Sequence, residues 1–292
     1  MRLKLNIMLL PVIFCLVGCS SVPTSTTSSV TPTASPDAIL SDTNKVPTDS
    51  SEMQSESKFV LPLTENTSGK VQIQTVSSSS TYPYTSYIIT SANGESIVLD
   101  PTSMPPKEVI DLLPAAIIST HAHSDHTDSS FTNTYDCPHF TAEVTTLDTK
   151  DFKIATLASS HQNDTIDQFP SNTITLLEVD GIRIAHMGDI GQSTFTEEQL
   201  TILGHIDIAF MQFHNDGNSS GLGLTPEKSF KLMEQLKPTI IIPTHYTEDF
   251  LPDLEQKYGE IQEFDNVLTI SKDDLLATSV NMYRILNTHV YQ

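Results

Sequence analysis

Thr120-His121-Ala122-His123-Ser124-Asp125-His126-Thr127-Asp128 places three imidazoles and a carboxylate inside six residues, directly after the apolar run Ala115-Ala116-Ile117-Ile118-Ser119. That run reads as a buried strand. Its cargo is therefore delivered at a strand's carboxyl end, where α/β proteins build their sites. Neutral imidazole and carboxylate are the ligands that borderline cations such as Zn²⁺ take, and two histidines at i and i+2 can point the same way from an extended segment. Asp125 and His126 follow where the chain must turn, so they can face a second point a few ångströms away. One short segment could serve two cations.

Working outward, residues 71–76 alternate like a half-buried strand, and 87–90 and 96–99 flank Asn93-Gly94 as hairpin arms do. Asp100-Pro101 ends the second arm, where an Asp can reach the histidines from behind. Residues 105–113 space Val109, Ile110, Leu112 and Leu113 as a helix would. Beyond the motif, short strands are predicted at 136–140 and 152–158, the second ending at Ser159-Ser160-His161. A hairpin over 173–179 and 182–186 turns at Asp180-Gly181, and its second arm runs into Met187-Gly188-Asp189. Then come a helix over 197–203, a strand over 206–211, a helix over 226–236 with Thr225 as cap, and a strand over 239–242 ending in Pro243-Thr244-His245-Tyr246. The alternation is that of an α/β domain.

Four separate strand ends thus carry His121/His123/Asp125/His126, His161, Asp189 and His245. In this order the set resembles the metallo-β-lactamase fold superfamily, over residues 59–292. The resemblance implies a single-domain, four-layer αββα sandwich. It also implies two divalent metal ions, Zn²⁺ first among them with Mn²⁺ or Fe also suited to the ligands. His121, His123 and His161 would hold the first ion, Asp125, His126 and His245 the second, and Asp189 would bridge them. Asp100 would hydrogen-bond a ligand histidine and fix its tautomer. Leu99-Asp100-Pro101, Leu224-Thr225-Pro226-Glu227 and Pro243-Thr244-His245-Tyr246 look like the branch containing ascorbate-phosphate lactonase and the N-acylphosphatidylethanolamine phosphodiesterases.

The chemistry implied is hydrolysis by a metal-bridging hydroxide on an ester, lactone or phosphodiester, with Asp125 and Asp189 in the catalytic centre and no serine or cysteine nucleophile. His214 opens the polar, glycine-bearing loop 214–223 and is a candidate substrate contact or proton donor, with Tyr246 or water as the other candidates. His139, His186, His205 and His289 read as structural or surface residues, and Cys137 as a lone buried thiol. Two rival readings are a β-lactamase, although such enzymes usually lack a bridging Asp like Asp189, and a binding lipoprotein without turnover.

The amino-terminal residues point to a location. Arg2 and Lys4 precede an apolar run too short to span a bilayer, and Leu16-Val17-Gly18-Cys19 resembles the lipobox of bacterial lipoproteins. Residues 1–18 would be a signal peptide, Cys19 the lipidated terminus, and the protein would face outward from the bacterial cell membrane. Cys15 would leave with the signal, so Cys137 could form no internal disulfide. Ser, Thr and Pro supply 22 of the 38 residues from 20 to 57, a composition that buries too little to fold. Residues 19–58 therefore read as a disordered tether spanning roughly 35 Å. With 15 basic and 36 acidic residues the formal charge is −21, which argues against nucleic acid and leaves a small-molecule or lipid-like substrate. Oligomeric state has no signature in the sequence.

Overall fold

Strands in this protein alternate their apolar side chains between two buried faces, and that pattern sets the layering. The computed structural model describes residues 63–82, 84–107, 110, 112–213 and 226–288. The expectations for Cys19, the signal, the tether, His214, Thr225 and His289 lie outside them. One sheet is built from β1 (Val71–Thr75), β2 (Tyr87–Thr90), β3 (Ser96–Leu99), β4 (Pro114–Ser119), β5 (His139–Thr141) and β13 (Val267–Ile270), in the order β13-β1-β2-β3-β4-β5. The other is built from β6 (Thr146–Asp148), β7 (Phe152–Ser159), β8 (Asn172–Val179), β9 (Ile182–His186), β10 (Ile208–Gln212), β11 (Ile240–Thr244), β12 (Ile261–Asp265) and β14 (Met282–Leu286). Its order is β12-β14-β11-β10-β9-β8-β7-β6.

Ala116 and Ile118 of β4 pack into one cluster with Ile184 of β9, Phe210 of β10 and Ile242 of β11, so the sheets share a core. The intervening Ile117 joins Val98, Ile110, Leu112 and Phe131 on the first sheet's outer face. Ala185, Ala209 and Ile241 likewise face outward from the second sheet, onto Leu203 of α2 (Glu197–Leu203), Leu232 of α3 (Pro226–Leu236) and Leu254 of α4 (Leu251–Tyr258). Each fully buried Ile or Leu contributes about 1.5–3 kcal/mol to this arrangement. The result is the expected α/β sandwich, with helices on the second sheet and a short helix α1 (Ser129–Thr132) plus loops on the first.

Two expectations are corrected. The described residues of 105–113 form no helix: Ile110 N reaches Pro106 O at 3.3 Å, but Pro114 already opens β4 and disfavours helical backbone just before it, and Ile110 and Leu112 pack on the outer face of the sheet. β1 is buried along its whole length rather than on one face, because Gln72 donates its amide to Thr64 O at 2.7 Å and needs no solvent. Residues from 247 onward, unread at the sequence level, supply β12, β13, α5 (Lys272–Ala277) and β14, and so close both sheets. No helix among the described residues is long and apolar enough to cross a membrane.

β9, β10 and β11 run parallel, and β7 runs with them because it is antiparallel to β8, itself antiparallel to β9. Their carboxyl ends meet at one edge of the sandwich. Because Ile118 lies at 0% exposure between the sheets, Ile118→Ala should lower unfolding free energy by about 2–5 kcal/mol in a urea titration. The same truncation at Leu113, 83% exposed, should stay within about 0.5 kcal/mol.

Candidate metal centre

At that edge the loop after β4 is folded by its own polar groups. His126 N donates to His123 O at 3.0 Å, Thr127 Oγ1 to the same carbonyl at 2.9 Å, and Thr102 Oγ1 to Ser124 O at 2.9 Å. Asp128 ends the loop: one carboxylate oxygen caps α1 at Phe131 N, and the other accepts from Met104 N at 2.9 Å. The chain therefore turns between His123 and His126, as two separately aimed sets of ligands require.

Two groups of donor atoms result among the described residues, His121/His123/His161/Asp189 and Asp125/His126/Asp189/His245, with the atoms of each within 4.8 Å of one another. Asp189 belongs to both. Its Oδ2 lies 3.3 Å from His161 Nε2 and 3.8 Å from His121 Nε2, while Oδ1 lies 3.3 Å from both His126 Nε2 and His245 Nε2. Asp125 Oδ2 stands 3.5 Å from His245 Nε2 and 3.7 Å from His126 Nε2. His121, His126 and Asp189 are buried, Asp125, His161 and His245 half-buried, and His123 exposed, so the cluster opens to solvent on the His123 side.

This crowding is costly without a shared positive charge. His121 Nε2 faces His123 Nδ1 at 2.9 Å, and His126 Nε2 faces His245 Nε2 at 3.2 Å. His161 Nε2 and Asp189 Oδ1 are buried without a hydrogen-bond partner. Such orphaned acceptors cost about 1–3 kcal/mol each unless something binds them, and the N/O set suits Zn²⁺, Mn²⁺ or Fe. The donors present therefore fit a pair of divalent cations.

Electrostatics point the same way. Burial opposes ionisation of Asp189, yet the imidazoles of His245 and His126 hold its carboxyl well below the usual carboxylate range. Burial, and then its neighbour His126, push the His121 imidazole down to about 3, so it offers a lone pair at neutral pH.

Behind the cluster sits Asp100, wholly buried at the end of β3 with a φ of +46°. Its Oδ1 accepts from Thr120 N at 2.7 Å, and its Oδ2 accepts from His126 Nδ1 at 2.8 Å and from His186 Nε2 at 2.5 Å. Thr120 Oγ1 contacts both oxygens. Against the effect of burial, His126 and His186 hold this carboxyl well below its usual range too. His186, read from sequence as structural, is not among the converging donors but shares their supporting carboxylate.

Other supports had no sequence signal. Asn172 Oδ1 accepts from Asp189 N at 3.1 Å while its amide donates to Ser159 Oγ and Met187 O, tying three strand ends together. Gly188, at φ +53°, lets Thr120 approach to where a Cβ would lie 2.4 Å from its Oγ1, and a Cβ on Gly191 would lie 2.1 Å from His161 O. Tyr246, another candidate proton donor, accepts at its hydroxyl from Arg284 Nε at 2.7 Å, and burial, then Tyr84, push its pKa up. Cys137 is half-buried rather than buried and lies outside both groups. His139 is exposed and His205 hydrogen-bonds Asp207.

A family profile described as a beta-lactamase superfamily domain matches residues 80–245, more than half of the sequence. The chain belongs to this superfamily. Membership makes it a domain of a superfamily of metal-dependent hydrolases, and the His/Asp cluster is where such a domain would hold its metal. No curated protein matched the sequence. Among solved structures, a candidate Zn-dependent hydrolase of the metallo-beta-lactamase superfamily from Thermotoga maritima aligns at 16% identity and TM-score 0.54, covering 74% of this chain and 98% of that one. A candidate metal-dependent hydrolase from Parabacteroides distasonis aligns at 20% identity and TM-score 0.48, over 74% and 93%. At such identity the likeness to the first carries the fold alone.

Gly188→Ala should destabilise the superfamily domain by at least about 1 kcal/mol more than Gly94→Ala, since both glycines have positive φ but only Gly188 is crowded. Equal urea midpoints would remove the crowding argument.

Proposed function

We propose that the protein is a membrane-tethered hydrolase acting with two divalent cations, Zn²⁺ first among the candidates, on an ester, lactone or phosphodiester outside the cytoplasm. The observation that carries this reading is the division of Asp189 between the two donor groups, one oxygen toward His121 and His161 and the other toward His126 and His245. His121, His123, His161 and Asp189 would hold one cation, and Asp125, His126, His245 and Asp189 the other. Bound there, such a pair supplies Lewis acidity and lowers the pKa of water toward about 7, which makes a side-chain nucleophile unnecessary.

The chain's own residues do the rest. Asp100 accepts the Nδ1 proton of His126 and so directs its Nε2 at the cluster. Exposed His123 marks the side from which substrate arrives. Near His245, Tyr84 and Tyr246 stack at 4.6 Å under the Arg284 guanidinium, which also pairs with Glu263 at 2.7 Å. This group braces the turn that carries His245. Leu99-Asp100-Pro101 and Pro243-Thr244-His245-Tyr246 support the lactonase and phosphodiesterase branch over a β-lactamase, as does Asp189. His214 remains the candidate for the leaving group's proton, now that Tyr246 is engaged by Arg284.

Elemental analysis should find close to two metal ions per chain, falling in His121→Ala and in Asp189→Ala, with turnover in a panel of lactones and phosphodiesters and little of nitrocefin. Metal content unchanged in both variants would sink the assignment, and dominant nitrocefin turnover would reverse the substrate class.

The lipobox-like Leu16-Val17-Gly18-Cys19 and the Ser/Thr/Pro-rich segment support an anchor at the outer face of the membrane. In a bacterial host, Cys19→Ser should move the protein from the membrane pellet to a soluble or unprocessed form, seen by fractionation and gel mobility. Unchanged partitioning would remove the lipid anchor.

A further inference from the structure

Among the described residues, His186 is the one buried histidine outside the donor groups, and its surroundings give it a task. It ends β9, three residues before Asp189, and is 2% exposed. Its Nε2 lies 2.5 Å from Asp100 Oδ2, the oxygen that also accepts from His126 Nδ1. A carboxylate can only accept, so His186 carries its proton on Nε2. Its Nδ1 is buried without a partner, and its ring stands edge-on to Phe210 at 5.6 Å. No hydrogen bond other than that to Asp100 orients this ring.

Asp100 stands at the end of β3 in the first sheet and His186 on β9 in the second. Thr120 supplies the remaining bonds to Asp100, and all come from the first sheet's side. Without His186 nothing from the second sheet would hold the carboxylate, whose direction sets the direction of His126. His126 is also the donor that packs parallel to His245, with centroids 4.9 Å apart and planes 6° from coplanar.

We propose that His186 is a positioning residue: by donating from Nε2 to Asp100 it locks the carboxylate that orients His126, and so sets the affinity of the Asp125/His126/Asp189/His245 site for its cation. This rests on the two-cation reading above. Hydrogen-bond partners one step behind a metal ligand, as Asp100 stands to His126, change metal affinity by about 10–100-fold, and His186, one step further back, should act at the low end of that range. The effect should fall on one site only, because His121 meets Asp100 only through Thr120, by a 3.2 Å contact from Thr120 Oγ1 to His121 Nδ1.

Zn²⁺ titrated into metal-free protein against a chromophoric chelator should show two binding steps. His186→Leu should weaken by about tenfold the step that His126→Ala abolishes and spare the step that His121→Ala abolishes, while His186→Gln, which keeps a donor at that reach, should recover wild-type affinity to within about threefold. His186→Asn, polar but too short, should behave like His186→Leu and serves if that variant does not fold. Equal weakening of both steps, or of neither, overturns the proposal. The Nδ1 proton of His126, hydrogen-bonded to carboxylate in metal-free protein, should appear downfield in proton NMR, move in His186→Leu and return in His186→Gln. That signal is read without any cation, so wild-type protein that takes up no zinc would defeat the two-cation reading alone, whereas an unmoved signal would defeat the role of His186.

Discussion

A carboxylate buried between two sheets is the constraint on which the rest of the centre depends. Asp100 has no solvent exposure, and an ionised group in that position costs several kcal/mol unless it is fully hydrogen-bonded. Thr120, His126 and His186 supply those bonds, one from its backbone as well as its hydroxyl. Each thereby becomes fixed in turn. The negative charge holds the loop after β4, the ring of His126 and the end of β9 to one point, so the two sheets cannot slide without breaking a charge-assisted bond. Sheet packing and cage geometry are in this sense one interaction.

Backbone strain is concentrated at the same edge. Asp100 and His245 both adopt positive φ, at 46° and 45°, although neither is glycine. Such conformations persist only where the surroundings over-determine them. For Asp100 the surroundings are visible: Ser86 Oγ donates to its carbonyl at 2.6 Å and accepts from Thr102 N at 2.8 Å, and Asp100 N donates to Ile118 O. For His245 the following Tyr246 is clamped by Arg284 and stacked on Tyr84, so side chains from distant parts of the chain hold the turn. Rigid elements thus aim the donors, and the strain is the cost of aiming them.

Much of this was legible in the sequence, and the reason is local. The histidines and aspartate of 121–126 sit in one segment, and His161, Asp189 and His245 each follow a strand whose apolar pattern is plain, so their convergence needed only the parallel direction of β7, β9 and β11. The hairpin at Asp180-Gly181 was equally clear, both residues taking the positive φ that the turn demands. What escaped is tertiary. Asn172 starts a strand and His186 ends one, with nothing in their spacing to say that one holds Asp189 N and the other Asp100. The helix expected at 105–113 is absent among the described residues because apolar spacing cannot distinguish a helix from a segment laid over a sheet, and Pro114, which opens β4, disfavours helical backbone just before it.

The division of labour between cage and rim bears on what such a site can evolve to do. Every donor is fixed by hydrogen bonds, strained turns or close glycine packing, as Gly188 against Thr120 and Gly191 against His161 show. A site so constrained has little freedom to adapt its metal geometry to different substrates. Selectivity must therefore reside in parts that can vary without disturbing Asp100. The Tyr84, Tyr246 and Arg284 group answers that description at one side, since Tyr246 follows His245 in the chain and Arg284 is itself held by Glu248 and Glu263, both largely exposed. Changing these residues would leave the carboxylate between the sheets in place, which is how a fixed cage and a variable periphery can coexist on a single scaffold.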